Sequence, residues 1–292
     1  MIDTHAHYAH RTFDGEFSYV AQGADGLCLQ TGDRSQLFEA LRQAGISCSI
    51  EPATSFESNQ QVLQLSREYP VLPAIGLHPT RVAEVTGRQL RALKALARTP
   101  GVAAIGECGL DYHLPRQEQH RIRQLRCFLF QIRLANRLEL PLILHVRQAH
   151  SQVLKVLSLC PPRYGAVIHC FDQGPDCAAQ YRKLDCYFGI GGSILADEAL
   201  ALPLWQAVRE MPLDRILLET DSPYVKPRCR GSIPKKAMQR ARNTSLILPA
   251  VVHRIAQLKS LPDSTVEDAT TRNAERLFQA LAASKDPERN SR

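Results

Sequence analysis

The chain has 292 residues, 44% of them apolar and 22% charged, with a formal net charge of +7. That is the balance of a folded, water-soluble protein, and no apolar run approaches the ~18 residues that a membrane span needs. Nine cysteines are scattered without a Cys-x-x-Cys pair, which excludes a zinc knuckle or dithiol motif and makes reduced thiols in a cytoplasmic protein the expectation.

Apolar, β-branched runs alternate with amphipathic stretches along the chain, the pattern of a parallel sheet with helical crossovers. A first strand is predicted over 2–7, which leaves no room for a cleavable signal peptide. Residues 8–33, with Gly15, Gly23, Gly26 and Gly32, read as a long irregular loop. Further strands are predicted over 46–51, 71–78, 102–107, 142–146, 166–170, 186–190 and 215–221. Helices between them are predicted over 35–44, 55–69, 88–98, 117–137, 150–159 and 200–211, with two more over 245–259 and 264–281. Eight strand–helix units without a break in composition predict an α/β protein, one (β/α)8 TIM-type barrel over 1–283. The polar tail 284–292 is expected to be disordered, and the protein to be a monomer.

In such a barrel the chemistry gathers at the carboxyl ends of the strands. His5 and His7 end the first strand, and their spacing puts both on one face. Glu107 ends the fourth strand, His145 the fifth, His169 the sixth and Asp221 the eighth. Four imidazoles and two carboxylates exceed what one catalytic divalent ion takes from protein. The economical arrangement is two ions, ~3.5–4 Å apart in known two-metal sites, bridged by one carboxylate. Glu107 is the natural bridge, with His5, His7 and Asp221 on one ion and His145 and His169 on the other. Imidazole-rich ligands suit Zn²⁺, Mn²⁺ or Fe²⁺, while phosphate chemistry suggests Mg²⁺.

Other histidines (His10, His113, His120, His150 and His253) fall in loops or helices and are expected to be structural. His78 ends the third strand and is a candidate for touching substrate. Arg147, two residues past His145, is a second. Between Lys226 and Arg242 lie seven basic residues and no acidic one. This segment follows the eighth strand, so Arg228 and Arg230 are expected at the mouth, where they would draw in a polyanion. Tyr8, Tyr112, Phe171 and Tyr224 are aromatics available for stacking bases.

Ile-Asp-Thr-His-Ala-His (2–7), Gly-Leu-His-Pro (76–79), Gly-Glu-Cys-Gly-Leu-Asp-Tyr (106–112), Leu-His-Val-Arg (144–147), His-Cys-Phe (169–171) and Glu-Thr-Asp-Ser-Pro-Tyr (219–224) occur in that order. Together they resemble the TatD family of metal-dependent deoxyribonucleases in the amidohydrolase superfamily, over nearly the whole chain. The resemblance implies a TIM-type barrel with a two-ion site. It implies His5, His7, Glu107 and Asp221 on one ion and Glu107, His145 and His169 on the other. It also implies cleavage of single-stranded DNA, or RNA, from the 3′ end. Where the family often has Cys and Leu-Asp in and after its first His-x-His, this chain has Ala6, Tyr8 and Ala9, and Cys108 replaces a usual aliphatic residue. None of these positions is a ligand.

The expected chemistry is attack on phosphorus by water that the metal makes acidic near pH ~7, with Asp221 taking the proton. Two other classes stay open at the level of sequence. One is a metal-dependent hydrolase of small esters, lactones or amides, including esters of nucleic acid. Many such barrels bridge their ions with a modified lysine where this chain has Glu107. The other is a non-catalytic nucleic-acid-binding protein, against which the intact ligand set argues.

Overall fold

The computed structural model describes residues 1–113, 119–227 and 233–279. Eight strands form one sheet in the order β1 (Ile2–Asp3), β4 (Cys48–Pro52), β5 (Val71–Ile75), β6 (Ala104–Asp111), β7 (Leu142–Arg147), β8 (Ala166–Ile168), β9 (Tyr187–Ile190) and β10 (Ile216–Leu218). All eight predicted strands are present. Their chain order is their spatial order, with crossovers between, which is the (β/α)8 fold. Among the described residues no helix is long and apolar enough to cross a membrane.

Internal contacts divide the chain into two units. The first comprises Met1–Glu51, Cys170–Ala178 and Phe188–Asn273. In it β9 and β10 run parallel, as do β1 and β4. The Thr4 amide donates to the Leu218 carbonyl at 2.8 Å, so the first strand lies beside the last. The second unit comprises Pro52–His169, Ala179–Tyr187 and the residues from Ala274 onward. Here β5, β6, β7 and β8 are successive parallel neighbours. Leu142, Ile143 and Leu144 are all fully buried, as a parallel strand covered on both faces requires.

Ten helices carry the crossovers and the C-terminal region among the described residues: α1 (Arg34–Gln43), α2 (Ser58–Leu65), α3 (Gly87–Leu96), α4 (Arg121–Leu138), α5 (His150–Leu159), α6 (Pro175–Arg182), α7 (Glu198–Glu210), α8 (Lys235–Arg240), α9 (Leu248–Lys259) and α10 (Asp263–Leu277). Asp33 with Gln36 and Thr86 with Gln89 form capping boxes that start α1 and α3, satisfying amides that the first turn leaves open. The longest, α4, buries Phe128, Ile132 and Ala135. On the same helix two buried glutamines, seven residues apart, reach strand ends of the second unit. Gln131 accepts from the Leu77 amide at 2.8 Å and donates to its carbonyl at 3.1 Å. Gln124 does the same to Asp111, at 2.9 and 2.8 Å. Each amide side chain thus replaces a missing strand neighbour and fixes a loop that carries polar residues.

Three local expectations need correction. Residues 8–33 are not an irregular loop, because β2 (Phe17–Gly23) and β3 (Gly26–Gly32) pair antiparallel from Phe17↔Gly32 to Gly23↔Gly26. The signal was Gly-Ala-Asp-Gly between two alternating runs, a two-residue hairpin connection. Helix α6 lies between β8 and β9, where none was predicted. Its eight residues are too few to show a clear apolar period. Helix α8 occupies part of the segment read as a basic loop. The expected disordered tail lies outside the described residues, as do Arg228 and Arg230.

Candidate metal centre

In the first unit the chain leaves β1 still extended, and Ala6 pairs in parallel with Ser222. His5 and His7 therefore project from one side of the same segment, as their spacing predicts. Their Nε2 atoms are 3.1 Å apart, and Asp221 Oδ1 lies 3.3 Å from His7 Nε2 and 3.7 Å from His5 Nε2. Asp221 sits at φ 53°, a left-handed conformation that aspartate tolerates better than most residues. Its amide donates to the His5 carbonyl at 2.8 Å. The end of the last strand is thereby tied by main chain to the segment that carries the two histidines.

A buried network beneath them fixes that segment. Asp3 Oδ1 accepts from the amides of His5 and Thr220, at 3.1 and 3.2 Å. Asp3 Oδ2 accepts from the hydroxyls of Thr220 at 2.6 Å and Ser245 at 2.5 Å. Burial nevertheless pushes the Asp3 carboxyl up to about 7. The Tyr8 hydroxyl lies 2.6 Å from Ser245 Oγ. Because Ser245 spends its one proton on Asp3, Tyr8 is the donor in that pair. Glu51, also buried and pushed up to about 7 by that burial, accepts from the amides of Tyr8 and Ala9, at 2.9 and 2.8 Å.

In the second unit Glu107 is buried on β6 and three imidazoles converge on its Oε1. His145 Nδ1 and His169 Nε2 lie at 3.0 Å, and His78 Nε2 at 3.4 Å. Burial alone would raise the Glu107 carboxyl. The neighbouring His78 and His169, with hydrogen bonds from His145 and His169, hold it well below the usual carboxylate range. His145 is clamped on its other nitrogen too, Nε2 lying 3.0 Å from Asp111 Oδ2. Burial opposes the charge on His145, but its bonds to Asp111 and Glu107 prevail and raise its pKa. His78 goes the opposite way, lowered by burial. Its Nδ1 accepts from the Thr80 amide at 3.2 Å, so the proton of the neutral ring sits on Nε2 and faces Glu107.

These donor sets suit a divalent cation. In each unit imidazole nitrogens and a carboxylate oxygen point at one another, and the sets His5–His7–Asp221 and His78–Glu107–His145 each lie within 4.8 Å. Without a metal, nitrogens this close are tolerable only if protons intervene. A divalent cation meets the same demand by displacing protons. Imidazole and carboxylate are the ligands of zinc and other transition-metal hydrolytic sites.

The structure thus brings His5, His7 and Asp221 together in one unit, and His78, Glu107, His145 and His169 in the other. Arg147 stands exposed at the end of β7 and makes no ion pair among the described residues. Of the basic segment, Lys226 and Arg242 are structural. The Lys226 ammonium donates to the carbonyls of Met238, Gln239 and Ala241, and Arg242 donates to Thr12 and Arg240. Tyr8 and Phe171 are buried, which removes them as stacking surfaces. The sequence reading missed Asp3, Glu51 and Asp111. Alternation along the strand puts Asp111 on the face of Glu107, but nothing in the sequence names the His145 ring as its partner.

A (β/α)8 fold with carboxylate and imidazole clusters at its strand ends is a metal-dependent hydrolase layout. Comparison narrows the class. The family described as TatD related DNase matches residues 2–279. A protein of Cronobacter turicensis named 3′-5′ ssDNA/RNA exonuclease TatD is 35% identical over 252 residues, covering 84% of this chain and 92% of that one. A protein of the same name from Erwinia tasmaniensis is 34% identical over 253 residues, covering 84% and 93%. The crystal structure of YJJV, a TatD homologue from Escherichia coli, superposes with a TM-score of 0.81 at 27% identity, covering 96% of this chain and 98% of that one. The chain belongs to the TatD-related DNase family.

Proposed function

We propose that this protein hydrolyses phosphodiester bonds of single-stranded DNA or RNA from the 3′ end, using two divalent cations. The observation that carries the reading is the buried Glu107 carboxylate receiving His78, His145 and His169 in the second unit, with the His5–His7–Asp221 set in the first supplying a second group of donors. The relatives named as 3′-5′ ssDNA/RNA exonucleases support the substrate class.

His5, His7 and Asp221 would hold one cation, and Glu107, His145 and His169 the other. When bound, such cations supply a water acidic enough to attack at neutral pH and neutralise charge on the phosphoryl oxygens. Asp221, its main chain fixed by the bond to the His5 carbonyl, would hold its cation through one carboxylate oxygen and keep the other to accept a proton. His78, neutral with its Nε2 proton facing Glu107, would steady that carboxylate and lie within the substrate's surroundings. Asp111 holds the His145 ring from the side away from Glu107, the usual way a ligating imidazole is oriented. Arg147, with Arg228 and Arg230, is assigned to the substrate strand.

The test is cleavage of a labelled single-stranded oligonucleotide by metal-stripped protein, with Mg²⁺, Mn²⁺ or Zn²⁺ restored separately. The reading expects shortening from the 3′ end that depends on added metal and is lost in Glu107→Ala. A Glu107→Ala protein as active as the wild type would contradict it.

A further inference from the structure

Of the aromatics that the sequence offered for stacking bases, one borders the first unit's ligand set with its ring half exposed. Tyr224 is 48% exposed, three residues beyond Asp221, and its amide donates to the Asp221 carbonyl at 2.7 Å. Its ring meets the ligand His7 edge-on, with centroids 5.9 Å apart, and His10 in the same way at 6.0 Å. Its backbone is held firmly. The Asn243 amide donates to the Pro223 carbonyl, and the Asn243 side chain donates to the carbonyls of Thr220 and Val225, at 2.8 and 3.3 Å.

His10, expected from the sequence to be merely structural, repeats a device seen at His78. In both, Nδ1 accepts from the amide two residues on and caps a short 3-10 turn: Thr12 for Arg11–Phe13, Thr80 for Pro79–Glu84. In both, the neutral ring is therefore held with its proton on Nε2. Such a ring donates hydrogen bonds and carries no full charge. A half-open aromatic face between a metal ligand and a fixed N–H donor matches the chemistry of a nucleotide, which pairs a flat base with a polar sugar–phosphate edge.

We propose that Tyr224 and His10 form a nucleotide subsite, in which the terminal base stacks on Tyr224 and His10 Nε2–H donates to the sugar–phosphate of that nucleotide. The proposal rests on the nuclease reading above. It separates a base-bearing substrate from a small phosphodiester, since only the first gains from the ring. Base–aromatic stacking makes about a tenfold preference a reasonable expectation.

The experiment compares two oligonucleotides with the metal-loaded protein, one ending in an ordinary 3′ nucleotide and one in an abasic 3′ residue. The wild type is expected to favour the base-bearing end by about tenfold in kcat/KM. In Tyr224→Leu the ratio should fall toward one, whereas Tyr224→Phe or Tyr224→Trp should retain it. His10→Ala should raise KM with little change in kcat. Bound metal is measured in every variant, so that loss of the ratio with full metal content points to stacking rather than to damage at His7. Cleavage with the wild-type ratio preserved in Tyr224→Leu would overturn this proposal and leave the nuclease reading intact. Failure of the wild-type protein to cleave either oligonucleotide would overturn both.

Discussion

Asp111 is the residue whose role the sequence motif conceals most completely, since it sits inside Gly-Leu-Asp-Tyr with no outward sign of its partner. In the fold it faces His145, so that imidazole stands between two carboxylates and gains proton affinity. A metal must displace that proton. Metal affinity should therefore be strongest at alkaline pH and fall as pH drops through the raised value of His145. Asp111→Ala removes one of the two carboxylates that raise it. Isothermal titration with Mn²⁺ should show affinity about 10–100-fold weaker at pH ~8, the usual loss for such a partner, and the acid fall displaced to lower pH. Unchanged affinity and an unmoved pH midpoint would refute the role. The proposed ligands were legible as candidates because His, Glu and Asp at strand ends announce themselves by residue type. Asp3, Glu51 and Asp111 were not, since a carboxylate that binds amides, hydroxyls or a ring edge is recognised only by what surrounds it.

At the scale of elements, regular strands were legible because burial on both faces leaves an unbroken apolar run, as at Leu142–Leu144. The β2–β3 hairpin was hidden by glycines that look like loop residues but pair with each other at Gly23 and Gly26. Helix α4 was legible as a helix, yet nothing in its period shows that Gln131 serves Leu77 rather than solvent. That service has a measurable weight. Gln131→Leu leaves the buried Leu77 amide and carbonyl without the partners seen here. Each such group costs about 1–3 kcal/mol, so denaturant titration should show a loss of about 2–6 kcal/mol. Because Leu77 precedes His78, kcat should fall as well. A variant as stable as the wild type would mean that water or rearrangement satisfies Leu77.

For the whole molecule the net charge of +7 and the basic 226–242 segment suggested a cationic rim at the mouth. The structure divides that segment by role, because Lys226 and Arg242 spend their donors on main-chain carbonyls, while Lys235 and Lys236 on α8 are exposed. Charge counted along a sequence cannot separate these uses. If the exposed lysines contact the substrate strand, each phosphate contact contributes about 0.7 to the slope of log affinity against log salt. Lys235→Ala combined with Lys236→Ala should lower that slope by about 1.4 for single-stranded DNA, with kcat at saturating substrate little altered. An unchanged slope would assign those lysines to solvent.

The proposed activity needs two sets of side chains to hold two catalytic cations. The most direct measurement is bound metal per chain, by elemental analysis after loading and desalting, in the wild type, His7→Ala and His145→Ala, with 3′ cleavage of single-stranded DNA followed in the same samples. Two ions are expected in the wild type and close to one in each variant, with cleavage reduced by orders of magnitude in both. A single ion in the wild type, or full cleavage in either variant, would contradict it.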